Sequence, residues 1–109
     1  MTTKKSKVDR NSSESLAFLE SLTGPITFGS MMLSIRKSED WTQAEMARML
    51  EISDKHLSDI ENERRSVSPS RAAQWATDLG YSQVTFVELA LQNLLDKEGI
   101  DFKVSLKSG

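Results

Sequence analysis

Apolar residues recur at helical spacing along most of the chain from Ile26 onward. The stretch "FGSMMLSIRKSE" puts Phe28, Met31, Met32 and Ile35 at i, i+3, i+4 and i+7, which predicts a first helix with one buried stripe. Thr42-Gln43-Ala44-Glu45 has the form of a capping box, so a second helix is expected from Gln43 to Leu50, with Ala47 and Leu50 facing inward. Ser53 is placed to cap a third helix, Asp54 to Glu61 or Asn62, whose inward residues are Leu57 and Ile60. Ser68-Pro69 reads as a cap followed by a first-turn proline. The fourth helix that follows carries Ala72, Trp75, Ala76 and Leu79 on one side and stops at Gly80. Ser82 opens the fifth and longest helix, with Phe86, Val87, Ala90, Leu91, Leu94 and Leu95 before Gly99.

The pattern changes at both ends. In "DFKVSL", Phe102, Val104 and Leu106 alternate with Asp101, Lys103 and Ser105, which is strand periodicity. No second strand is evident, so this one is expected to find its partner in another chain. At the other end, Lys4, Lys5, Lys7 and Arg10 face a single acid, Asp9, which reads as a basic, flexible tail. "SSESLAFLESLTGP" then offers a short helix stopped by Gly24-Pro25. The expected organisation is a tail over 1–25, a helical domain over 26–99 and a strand over 100–109, in an all-α fold of five helices.

Two short helices joined by a three-residue turn, inside a set of five, describe a helix-turn-helix. The stretch "TQAEMARMLEISDKHLSDIENERRSVSPSRAAQWATDLGY" resembles the Cro and lambda-repressor type of DNA-binding domain, the XRE family, over roughly residues 27–80. Ala47 is small, as a close helix crossing requires. With Leu57 and Ile60 inward, the helical step of about 100° per residue turns Lys55, Ser58, Asp59 and Asn62 outward, with Asp54 on the flank. The resemblance implies that Asp54, Lys55 and Asp59 read bases in the major groove, and that Gln43 and Asn62 hold phosphates. Ser53 and Ser58 complete that face. Arg64 and Arg65 read either as further phosphate contacts or as an ordinary exposed loop. The resemblance also pairs Arg36 with Glu61, a structural link between the first and third helices. Glu51 departs from the family, which commonly has glycine at this turn position because the backbone there favours positive φ.

Charge complicates the DNA reading. The chain's formal net charge is −2, and Arg36 to Arg71 holds seven basic and eight acidic residues, so no broad basic field exists. An aspartate at a base edge can accept from cytosine N4, so Asp54 and Asp59 are compatible with specificity while lowering affinity. Affinity is then expected to come from a homodimer on a palindromic operator, joined through Leu91, Leu94, Leu95, Phe102, Val104 and Leu106. With no cysteine and one histidine, His56, neither a thiolate metal site nor a disulfide is available, and no cofactor is implied. The methionines Met31, Met32, Met46 and Met49 read as core filler, and Trp41 and Trp75 as packing residues. No glycine-rich phosphate loop or histidine-paired nucleophile appears, so an enzyme is not expected. No apolar run is long enough for a membrane span, and a cytoplasmic setting is expected.

The sequence therefore points to a DNA-binding transcription regulator, most simply a repressor. Within that class it resembles the small HigA-type antitoxins, which neutralise a partner ribonuclease toxin and repress their own operon. A stand-alone phage or plasmid regulator of the Cro type shares this architecture. A protein-interaction module that has lost DNA binding is the alternative from another class.

Overall fold

A computed structural model describes residues 26–107, and the expected basic tail and short helix before Ile26 lie outside the described residues. Five helices follow in order: α1 (Phe28–Ser38), α2 (Gln43–Leu50), α3 (Asp54–Glu61), α4 (Pro69–Leu79) and α5 (Gln83–Lys97). Each begins at a hydroxyl cap. Thr27, Thr42, Ser53, Ser68 and Ser82 all accept the backbone N–H three residues on, and Thr27 and Thr42 form reciprocal capping boxes with Ser30 and Glu45. Such caps set boundaries tightly, because the first helical amides have no other partner.

The helix ends share one solution too. After each helix a residue turns into the left-handed region: Asp40 (φ 65°), Glu51 (φ 59°), Glu63 (φ 64°), Gly80 (φ 81°) and Gly99 (φ 75°). In every case that residue's N–H and the next one reach back to carbonyls of the last turn. The pairs Glu51→Arg48 (3.1 Å) and Ile52→Ala47 (3.0 Å) are one instance. Glycine adopts this backbone freely, whereas the three acidic residues bear a strain of roughly 1–2 kcal/mol each. The expectation that Glu51 occupies a glycine-type turn is met, with glutamate accommodating the positive φ.

The core joins the inward stripes of all five helices. Phe28, Met31, Met32, Met46, Ala47, Leu57, Ile60, Ala72, Trp75, Ala76, Leu79, Phe86 and Ala90 are among its buried members. The rings of Phe28 and Phe86 meet edge to face at 5.8 Å, fastening α1 to α5. Gly29 sets the approach of α1 to α3. A Cβ built there would lie 2.3 Å from the Ile60 carbonyl oxygen, so no larger residue fits without moving a helix. Met49 corrects the sequence reading, because it is 37% exposed and lies on the outer side of α2 rather than in the core.

No strand forms among the described residues. The expected strand over "DFKVSL" instead lies along α5 as an irregular tail, half-buried at Val104 and Leu106 and with Phe102 72% exposed. Its backbone is met by side chains of the helix rather than by another backbone. Gln92 donates to the Phe102 carbonyl (2.9 Å) and accepts from the Val104 amide (2.7 Å), and Glu88 accepts from the Leu106 amide (2.8 Å). A strand is defined by ladder pairing, which a single copy of this segment does not have. Its alternation therefore does not produce sheet within one chain.

Candidate nucleic-acid interface

The turn between α2 and α3 is short because both its ends are fixed. Glu51 closes α2 in the left-handed conformation, and Ser53 opens α3 by accepting from the His56 amide (3.0 Å). Leu57 and Ile60 are wholly buried beneath α3. Its opposite side is therefore held outward, with Asp54 and Lys55 exposed and Ser58 and Asp59 half-exposed along the face.

A buried ion pair locks this helix to its support. Arg36 Nε lies 2.7 Å from Glu61 Oε2, and a second guanidinium nitrogen donates to Oε1 at 3.1 Å, a two-pronged arrangement. The side chains are 17% and 4% exposed. Gln43 Nε2 also donates to Glu61 Oε1 (3.2 Å), and Arg36 reaches the Trp41 carbonyl (3.4 Å). The expected Arg36–Glu61 link is therefore present. Gln43, expected at a phosphate, is half-buried and spends one amide hydrogen on this network; Nε2 retains a second N–H.

On the outward face, Asp59 is not a free acid. Its carboxylate accepts from Lys55 (3.3 Å) and is gripped by Arg64 through two nitrogens (3.1 and 3.2 Å). Desolvation pushes its carboxyl up, but the hydrogen bonds and charges of Lys55 and Arg64 together outweigh that and hold it below the ordinary value. Asp59 thus stays ionised and acts as counter-ion to two cations, leaving the trio with a net positive charge. Asn62 bends back on its own helix, donating to the Ser58 carbonyl (2.8 Å). Arg65 is exposed just beyond.

Sequence reasoning missed one member of this surface, Arg71, whereas His56 is packed against Trp75, one of the two roles its sequence context suggests. Arg71, in the first turn of α4, lies 5.6 Å from the centre of the Trp75 ring. His56 meets the same indole edge-on at 6.3 Å. Together with Arg65, Ser66, Ser68 and Ser70 they line an open depression beside α3. Partial burial lowers the His56 pKa, the charges of Arg65 and Arg71 lower it further, and Asp59 opposes them. The signal for Arg71 was available: an arginine three residues after the Ser68 cap projects at the exposed start of a helix. Glu39 is a second omission, buried at 3% exposure with the Tyr81 hydroxyl donating to it at 2.7 Å.

This arrangement is a short, outward-facing, cation-flanked helix rigidly backed by a second one. Residues 32–82 match the family model described as Helix-turn-helix. The segment is similar to the helix-turn-helix of the XRE type. The match runs from within α1 to Ser82, the cap of α5, and contains every residue of the interface described above. Neither the curated proteins nor the solved structures yielded a match to the chain. The family supports a DNA-binding transcriptional regulator, a class that is normally not enzymatic. Among the described residues no helix is long and apolar enough to cross a membrane.

Proposed function

We propose that the protein is a homodimeric, sequence-specific DNA-binding repressor that lays α3 in the major groove of a palindromic operator. The observation that carries this reading is the outward face of α3, backed by the Arg36–Glu61–Gln43 network and flanked by Lys55, Arg64, Arg65 and Arg71. Base-edge contact is assigned to Lys55 and Asp54, a reading supported by the 84% exposed Lys55 side chain and the exposed Asp54 at the helix start. Ser58 and Asp59 lie one turn further along the face. Arg64, Arg65 and Asn62 flank the phosphates, and Ser53 orients the helix through its cap. On the groove Lys55 exchanges Asp59 for DNA, which leaves Asp59 to position Arg64 or to accept from a cytosine amino group.

Dimerisation is assigned to α5 and the tail. Only Phe86 and Ala90 of α5 are fully buried, while Leu91, Leu94 and Leu95 stay half-exposed outside the core. Selection of binding sites from random duplexes, followed by titration at several salt concentrations, tests the proposal. A palindromic consensus with a linear fall of log affinity against log salt is expected. Absence of binding at low salt would instead favour an adaptor that has lost DNA recognition.

The narrower form of the proposal makes this repressor the antitoxin of a toxin–antitoxin pair, binding a ribonuclease toxin. What supports it is charge: a chain of net charge −2 suits a basic nuclease partner. Co-expression with a small basic nuclease encoded beside it should restore growth and block RNA cleavage in vitro. Continued cleavage at excess regulator would leave a stand-alone repressor.

A further inference from the structure

The tail after α5 has two backbone edges, and α5 uses one of them. In extended chain, successive residues point their N–H and C=O groups to opposite sides. The groups held by Gln92 and Glu88 belong to Phe102, Val104 and Leu106, all even-numbered. The spacing fits: one helical step from Glu88 to Gln92 rises about 6 Å. Two residues of extended chain cover about 6.6 Å. The tail therefore runs back along α5 in the opposite direction. By the same alternation the backbone groups of Lys103 and Ser105 point the other way; both residues are exposed and make no hydrogen bond among the described residues. Free strand edges of this kind are what a second strand pairs with.

We propose that this odd-numbered edge pairs antiparallel with the same edge of a second copy, in one register only, with Val104 on the two-fold axis. This rests on the homodimer reading above and specifies its contact. Since only odd residues face outward, Lys103 must pair with an odd residue of the copy. Centring on Val104 sets Lys103 opposite Ser105 twice and overlaps the whole held stretch, with Phe102 opposite Leu106. It also places Asp101 opposite Lys107 at both ends, an attractive pair. Slipping the centre to residue 103 sets Lys103 against Lys103 of the copy. Slipping it to 105 sets Lys103 against Lys107 twice, and like charges directly opposite are repelled. Further slips leave Phe102 or Leu106 facing nothing in the held stretch. The 72% exposure of Phe102 is accounted for by the same geometry, which gathers Phe102, Val104, Leu106 and their copies on one face of a two-stranded ribbon.

Three single-cysteine variants of the full chain test the register, since the protein has no cysteine of its own. In an antiparallel ladder centred on Val104, the two copies of that residue form a non-hydrogen-bonded pair with Cα atoms about 4.5 Å apart. That lies within the reach of a disulfide. Val104→Cys should cross-link to a dimer under mild oxidation. Lys103→Cys and Ser105→Cys should stay largely uncross-linked, because each lies diagonal to its own copy, about 7–8 Å or more away. Independently, Asp101→Lys or Lys107→Asp alone should weaken the dimer several-fold, and the two together should restore it. Preferential cross-linking at 103 or 105 would overturn the register. A chain that sediments as a dimer, yet cross-links at none of the three, would overturn the tail contact while leaving the repressor standing. A monomer that binds only half-sites would overturn the homodimer itself.

Discussion

Replacing Arg36 by alanine should destabilise the domain more than any other single loss of charge. The perturbation removes both guanidinium contacts to Glu61, at 2.7 and 3.1 Å, and leaves a carboxylate only 4% exposed with one neutral donor, Gln43. At an effective dielectric of about 20, two unit charges ~4 Å apart attract by about 4 kcal/mol. Stranding one partner of such a buried pair typically costs about 3–5 kcal/mol. A small domain has only about 5–15 kcal/mol of total stability. With about 4 °C or more per kcal/mol for a domain of this size, Arg36→Ala should melt at least ~12 °C below the wild type. The assay is thermal denaturation followed by circular dichroism. Replacing both partners, as Arg36→Met with Glu61→Leu, should recover most of the loss, since a buried pair contributes little beyond well-packed apolar residues. An unchanged melting temperature with lost operator binding would refute the reasoning and make Arg36 a phosphate ligand.

Glu51→Gly should raise stability by about 0.5–1 kcal/mol in denaturant titration, because φ 59° is strained for glutamate and free for glycine. Gly29→Ala should cost about 1–3 kcal/mol in the same titration, as the new methyl meets the Ile60 carbonyl. His56 has its pKa lowered in the folded protein, so the unfolded chain takes up a proton first as pH falls. Its contribution is intact above the ordinary value of 6.5 and is lost as pH drops through the lower folded value. Melting temperatures should therefore fall more steeply between pH 7.5 and 5 for the wild type than for His56→Gln. Asp59→Asn should relax preference at one base pair, typically worth about 1–3 kcal/mol, while raising affinity for random duplex measured by anisotropy.

The helices were legible in the sequence because their limits are local chemistry. Thr42, Ser53, Ser68 and Ser82 announce a helix start by a single side chain bonding three residues on, and no distant contact is needed to read that. The Arg36–Glu61 pair was readable only through family resemblance, since 25 residues separate its members. Gly29 was invisible for a different reason. A glycine in a first turn looks like part of a cap, and its need arises from the Ile60 carbonyl on another helix. Met49 is hydrophobic without being buried, because α2 turns that position outward. The tail shows the limit of periodicity: alternation predicted a strand where the described residues form none, because a strand also needs a partner, which residue spacing cannot name.

The acids of the α2–α3 region answer to different constraints, which is why counting charges misleads here. Glu45 is committed to the Thr42 amide (2.8 Å) and Glu61 to Arg36; both are structural. Glu51 and Glu63 fill left-handed turns, and Glu63 accepts from the Thr27 hydroxyl at the start of α1. Asp59 neutralises one of two cations it holds and so keeps Lys55 and Arg64 on one side of α3. Of the acids on the α3 face itself, that leaves Asp54, which is exposed in the first turn, where a negative charge favours the helix. A phosphate approaching α3 therefore meets Lys55, Arg64, Arg65 and Arg71, with Asp54 the one exposed carboxylate on that face held by no cation among the described residues. The net charge of −2 describes the whole chain, whereas binding depends on the few ångströms in which counter-ions are displaced. On the homodimer proposed above, a second copy would supply the affinity that such an interface lacks as a monomer, which ties the outward face of α3 to the tail held along α5.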